Sequence, residues 1–187
     1  MTPYILLAKS AVEIYIKEGK IISPPENLPK EFWERRAGTF ITIEKMGELR
    51  GCIGTYLPLR KNIAEEIIYN AIAAATEDYR FGPLQEEEIP HLSYTVYILS
   101  TPELVKDLKE LNPRKYGIIV KTESINYPDG TDVVFNGKPP FKSGLLLPDL
   151  EGVDTVEKQI SIACQKGRID LTQEKIIIYK FTVEKYQ

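Results

Sequence analysis

Residues 49–56, Leu49-Arg50-Gly51-Cys52-Ile53-Gly54-Thr55-Tyr56, read as a strand, yet they place two glycines, a cysteine and an arginine where a packing strand uses β-branched residues. Glycine weakens a strand interior and is kept where a bulge forms or another backbone comes close. The segment therefore constrains the fold twice: it belongs in a sheet, and something must approach it closely. The next segment is the clearest helix of the chain. Residues 62–77 carry Ile63, Ile67, Ile68, Ala71, Ile72 and Ala75 on one helical stripe, with Asn62 as N-cap. The run of small residues from Ala71 to Ala75 lets this helix pack very close to a sheet.

The rest of the chain extends this pattern. Residues 4–17 have helical spacing (Ile5, Ala8, Val12, Tyr15, Ile16) with Gly19 to end it. Pro24, Pro25 and Pro29 interrupt regular structure, and Phe32 and Trp33 are expected to pin that loop to the body. Residues 38–44 alternate as a strand, and Met46-Gly47-Glu48 is a turn that makes a hairpin with the glycine-rich strand. Further strands are expected at 92–99, 117–121, 133–135 and, as one long alternating strand, 175–185. Residues 103–111 read as helical or turn-like. Tyr127-Pro128-Asp129-Gly130 is a turn signal, residues 136–140 a loop, and 145–147 a short buried segment stopped by Pro148. Asp154 or Thr155 caps a helix running to Lys166 with Ile160, Ala163 and Cys164 inward. More strands than helices, several joined by tight turns, predict an α+β fold with a mostly antiparallel sheet flanked by helices. The 187 residues suit a single domain with a larger and a smaller lobe.

Several function classes drop out on composition. A net charge of -3 gives no basic field for nucleic acid. No apolar run approaches the roughly 20 residues that span a bilayer, and the first residues lack a signal-peptide layout. Two cysteines in unrelated contexts make no disulfide framework, so a reducing cytoplasm is the expected setting. One histidine, His91, and no Cys-x-x-Cys leave no metal set. No phosphate-binding or dinucleotide glycine loop is present, so no cofactor is expected. Ser124, Asn126 and Thr122 form no triad pattern with the sole histidine.

What remains is a small group of polar residues. Cys52, between two glycines, is either a nucleophile whose thiolate Arg50 favours or a small apolar residue packed on the alanine-rich helix. Arg50 shares a face with Cys52 only if the strand is regular there. As a charge in a core strand it needs a carboxylate, for which Glu77 and Asp78 are the nearest choices, or else it binds an anion. Asp78-Tyr79-Arg80-Phe81 gathers an acid, a phenol, a guanidinium and a ring at a helix end, as a ligand cleft or as a loop tie. His91 reads as a surface residue and Cys164 as core; a Cys52–His91 pair requires the fold to join them.

These segments resemble a known family. Residues 49–55 (LRGCIGT), preceded by Gly38-Thr39-Phe40-Ile41-Thr42-Ile43, look like the signature of the AMMECR-one domain family. Asp78-Tyr79-Arg80-Phe81 resembles its second motif. Residues 144–159 (GLLLPDLEGVDTVEKQ) are similar to the subgroup called protein A of the AmmeMemoRadiSam system. The resemblance covers nearly the whole chain. It implies an α+β domain with two unequal lobes and the LRGCIG segment at a cleft. It also implies association with a Memo-like protein and a radical S-adenosylmethionine protein, whose own motifs this chain lacks. Two departures stand out: Lys166-Gly167-Arg168 replaces a usual Lys-Ala-Gly, and residues 126–142 look longer than usual, as if they held an extra hairpin.

Two functions follow as expectations. In one, the chain is a binding or scaffold component for those partners, with Gly51 and Gly54 allowing a partner backbone to approach. In the other it is an enzyme. Cys52 would then be nucleophile or covalent carrier, Asp78 a base or orienting group, and Arg50, Tyr79 and Arg80 would contribute to binding. The sequence leaves the oligomeric state open.

Overall fold

The computed structural model describes residues 1–123 and 141–187. In chain order its elements are α1 (Pro3–Glu18), α2 (Glu31–Glu34), β1 (Thr39–Lys45), β2 (Glu48–Gly54), α3 (Ile63–Thr76), β3 (Leu92–Leu99), β4 (Glu103–Leu104), β5 (Gly117–Thr122), β6 (Ser143–Leu146), α4 (Val156–Gly167), β7 (Ile176–Phe181) and β8 (Val183–Tyr186). Short 3-10 turns span Glu86–His91 and Leu108–Glu110. The turn, strand and loop expected between residues 127 and 140, and most of the extra hairpin, lie outside the described residues. The chain divides into two compact units, residues 1–101 with 184–187, and residues 102–183.

In the first unit the sheet order is β2-β1-β3-β8. β1 and β2 form an antiparallel hairpin closed by Met46 (φ 52) and Gly47 (φ 86). Two consecutive positive φ values are those of a hairpin turn whose twist matches its strands. Thr39, Ile41 and Ile43 of β1 are fully buried on one face, against α3. Phe40, Thr42 and Glu44 alternate onto the other face. α3 starts where Asn62 accepts the Glu65 N–H at 3.0 Å. Its stripe (Ile63, Ile67, Ala71, Ala74) reaches the sheet because Gly51 has no Cβ: one there would run into the Ala74 carbonyl oxygen. Buried Glu66 accepts bonds from the Thr55 hydroxyl (2.6 Å) and the Leu59 and Arg60 N–H groups (2.9 and 2.8 Å), tying the β2–α3 loop to the helix. Phe32 is buried as expected, whereas Trp33 is 40% exposed. Tyr186 of β8 stacks on Tyr4 of α1 at 4.0 Å, and Glu184 pairs with Arg35.

In the second unit the sheet order is β4-β7-β5-β6, antiparallel throughout. α4 covers β5 and β6, with Ile160, Ala163 and Cys164 buried against Ile118, Val120 and Leu146. Thr155 caps it, accepting the Lys158 N–H at 3.2 Å. Gly144 has the role that Gly51 has in the first unit: a Cβ would occupy the place of the Ala163 carbonyl oxygen.

Three expectations need correction. The strand expected over residues 175–185 is two strands, β7 and β8, in different sheets, separated at Thr182. Alternation alone cannot show where a strand changes sheets. Residues 103–111 form a two-residue strand followed by a 3-10 turn. The expected sheet is two four-stranded sheets; the helix and antiparallel-sheet class holds.

Candidate functional site

The residues that the sequence singled out gather around β2 and the C-terminal end of α3. β2 is an edge strand, and its register with β1 slips between Ile43 and Glu44. Ile43 lies opposite Gly51 and Glu44 opposite Leu49, so Arg50 is the extra residue of a β-bulge. The regular alternation that would place Arg50 beside Cys52 is therefore broken.

Arg50 points instead to Glu88. Its Nε and Nη2 donate to the two carboxylate oxygens at 2.9 Å each, Nη1 donates to the Gly82 carbonyl at 3.0 Å and Nη2 to the Pro83 carbonyl at 3.2 Å. Lys45 Nζ and the Gln85 N–H complete the shell of Glu88 at 3.0 and 2.9 Å. The guanidinium and carboxylate are 15% and 12% exposed. Arg50, with further help from Lys45 and the Gln85 N–H, holds the Glu88 carboxyl down at about 2 against an ordinary 4.5. The partner expected for Arg50 was Glu77 or Asp78; it is Glu88, 38 residues further along the chain.

Asp78 is 4% exposed and pairs with Arg80. Oδ1 accepts from Arg80 Nε (2.9 Å) and the Arg80 N–H (3.2 Å). Oδ2 accepts from Arg80 Nη2 (2.7 Å) and from the backbone N–H of Cys52 (2.8 Å). The Arg80 guanidinium, with these N–H donors, holds the carboxyl at about 2, below its ordinary 3.8. Each oxygen accepts two bonds, so Asp78 is an ionised anchor with little capacity to take a proton. Because it receives the outward N–H of an edge strand, it also blunts that edge.

Cys52 is half-buried opposite Thr42, whose hydroxyl donates to its Sγ at 3.4 Å. Tyr97 of β3 joins this group through a hydrogen bond with Thr42, and burial pushes its phenol up. The guanidinium that interacts electrostatically with Cys52 is Arg80, in addition to its pairing with Asp78. Tyr79 is 94% exposed, and Arg80 lies over the Phe81 ring at 5.2 Å. The close approaches at Gly51 and Gly54 are made by the chain itself, to Ala74 and to Thr39 and Phe40. His91 is exposed and engages Met46 through its carbonyl (3.1 Å). Cys164 is buried, which raises its thiol pKa. Among the described residues no group of three or more His, Cys, Asp or Glu is placed to hold a metal, and no helix is long and apolar enough to cross a membrane.

Sequence reasoning missed Glu88, Lys45, Thr42 and Tyr97. Thr42 and Tyr97 had a legible signal, since both lie on the outward phase of their strands, but linking them to Cys52 needs the register of three strands. Glu88 stands in the run Glu86-Glu87-Glu88, and nothing local marks which carboxylate turns inward.

The AMMECR1 family profile matches residues 5–186, and the chain belongs to that family. A protein of Thermotoga maritima is 47% identical over 186 residues, covering 99% of this chain and 97% of that one. Protein CA_C1420 of Clostridium acetobutylicum is 39% identical over 186 residues, and there the match covers 99% of this chain but only 36% of the longer protein. The crystal structure of the uncharacterized protein PH0010 from Pyrococcus horikoshii superposes with a TM-score of 0.82 at 31% identity, covering 97% of this chain and 88% of that one.

Proposed function

We propose that this AMMECR1-family chain is a binding or scaffold component that acts with a Memo-like protein and a radical S-adenosylmethionine protein in a reducing cytoplasm. One observation carries the reading: the charged groups of both motifs are spent inside the chain. Arg50 is taken up by Glu88 and two carbonyls, and Asp78 by Arg80 and the Cys52 N–H. This leaves a braced surface with the Cys52 thiol, the Thr42 and Tyr97 hydroxyls and the outward Tyr79, and, among the described residues, no ionised base hydrogen-bonded to the thiol. A rigid polar rim with an exposed aromatic ring suits a protein partner. The similar segment that makes up about a third of the Clostridium protein supports a module that works beside other domains.

Co-purification at micromolar concentration with each partner tests this. A complex weakened at least tenfold by Tyr79→Ala, with the fold intact, is the expected result; no complex with either protein overturns it.

A second reading rests on the interaction of Arg80 with Cys52. On that reading Cys52 is the nucleophile or covalent carrier of an enzyme. Iodoacetamide alkylation against pH tests it, with Cys164 as internal control. A fast reaction with a midpoint well below the free thiol's roughly 8.5, abolished by Cys52→Ser, supports catalysis. Slow alkylation, or labelling unchanged in Cys52→Ser, removes the idea.

A further inference from the structure

We propose that a cavity in the unit of residues 102–183 binds an aliphatic chain ending in a carboxylate, at a site separate from the Cys52 cluster and independent of the reading above. β4 is only two residues long, and its ladder with β7 ends at the bond from the Val105 N–H to the Ile178 carbonyl, 2.9 Å. Beyond that bond residues 106–108 leave the edge of β7. A cavity of about 530 Å³ lies between the diverging segments. That volume falls within the roughly 300–1,000 Å³ of small-molecule sites.

Its walls are hydrocarbon. Ile160 and Ile178 are 9% and 8% exposed, while Leu108 and Leu171 are 52% and 51% exposed. Large apolar side chains half in water beside a concave apolar surface mark a place where apolar matter binds. The polar groups are few. Lys106 is the one charged residue lining the cavity, and among the described residues its ammonium makes no ion pair. The second donor is backbone. Since Ile178 directs its carbonyl to the β4 side, Ile176, two residues away, directs its N–H to that side too. Among the described residues that N–H has no partner. One ammonium and one amide N–H beside aliphatic walls suit a carboxylate head and an alkyl tail. A peptide strand added to the same edge is a poorer fit, because the stretch of β7 beyond its ladder with β4 is short.

The test titrates the full-length protein, methyl-labelled at Ile and Leu, with sodium decanoate below its micelle concentration at neutral pH. Decylammonium is the control of opposite charge. Saturable shifts at the methyls of Leu108, Ile160 and Leu171 are expected. Binding should weaken about tenfold in Lys106→Met and be lost in Leu171→Trp, whose larger side chain fills the mouth. Both positions are at the surface, so the variants should fold, and their unchanged methyl spectra elsewhere verify it. The proposal fails if decanoate gives no saturable response or if decylammonium binds as tightly. It also fails if Lys106→Met binds as the parent does, or if the shifts fall on a second cavity, lined by Leu6 and Leu7 of α1 and by Leu28 in the other unit. None of these failures bears on the Cys52 surface, which is read by co-purification and alkylation.

Discussion

The two units use one packing device and put it to different ends. In each, an edge strand of a four-stranded sheet carries a glycine against an alanine carbonyl of the covering helix: Gly51 on Ala74, and Gly144 on Ala163. Each unit also holds one of the two cysteines. Cys164 lies within the helix and is buried, whereas Cys52 lies on the strand, half-buried beside two hydroxyls. Around Gly51 stand two ion pairs: Arg50–Glu88, nearly buried on both sides, and Asp78–Arg80, in which the carboxylate is buried and the guanidinium is partly exposed. The Gly144 strand is followed instead by a turn and a capped helix, and the Lys142–Glu174 pair beside it is largely exposed. Close strand–helix packing by itself thus asks only for glycine and alanine. The additional charges around β2 fix the shape of a surface.

The largest expected effect breaks the shared device. Gly51→Val and Gly144→Val each force a side chain onto a helix carbonyl that has no room to yield, and each should cost on the order of 3 kcal/mol or more in urea unfolding. A Gly144→Val protein as stable as the parent would end the equivalence of the two units. Next come the clamps. Asp78→Ala leaves the Cys52 N–H and the Arg80 guanidinium without their acceptor and should cost about 2–3 kcal/mol. Glu174→Gln, in the exposed pair of the other unit, should give no measurable loss. Equal losses from the two would show that the β2 clamps hold nothing special.

Acid sharpens the same contrast. Asp78 and Glu88 titrate at about 2 in the folded chain, below their ordinary 3.8 and 4.5. Their stabilisation is therefore complete above the ordinary carboxylate range and is lost as pH falls from about 4.5 towards 2. A tenfold difference in proton affinity between the folded and unfolded chain is worth about 1.4 kcal/mol, so the two carboxylates contribute on the order of 2 (Asp78) and 3 (Glu88) kcal/mol. Urea midpoints should fall steeply over that window, and the Asp78→Asn, Glu88→Gln double variant should show a flatter profile there. The smallest effect is on reactivity alone: in the native protein Cys52 should be alkylated at least ten times faster than Cys164, whose thiol is buried and raised. Equal rates would mean that both cysteines play one structural role.

Much of the local structure was legible. Hydrophobic spacing placed α1, α3, α4, β3 and the β1–β2 hairpin within a residue or two, and Asn62 and Thr155 announced their helices. The glycines of residues 49–56 announced a close approach, and the motifs carried the family. The site was legible as a list of residues but not as a set of contacts. Arg50 looked like a partner for Cys52 or Asp78, because alternation treats a strand as regular; the bulge opposite Ile43 and Glu44 turns it to Glu88. Thr42 and Tyr97 reach Cys52 only through the register of β2, β1 and β3.

The sequence by itself determined which segments become helix and strand, where glycine is obligatory and which family the chain belongs to. Those properties are encoded within a few residues, by periodicity, caps and the absence of a Cβ. Tertiary structure alone decided which carboxylate neutralises which arginine and that β7 and β8 part at Thr182 into different sheets. It also decided that the close approach to Gly51 is made by α3. An ion pair or a strand pairing forms wherever two distant segments are brought to contact distance, and that distance is a property of the folded chain.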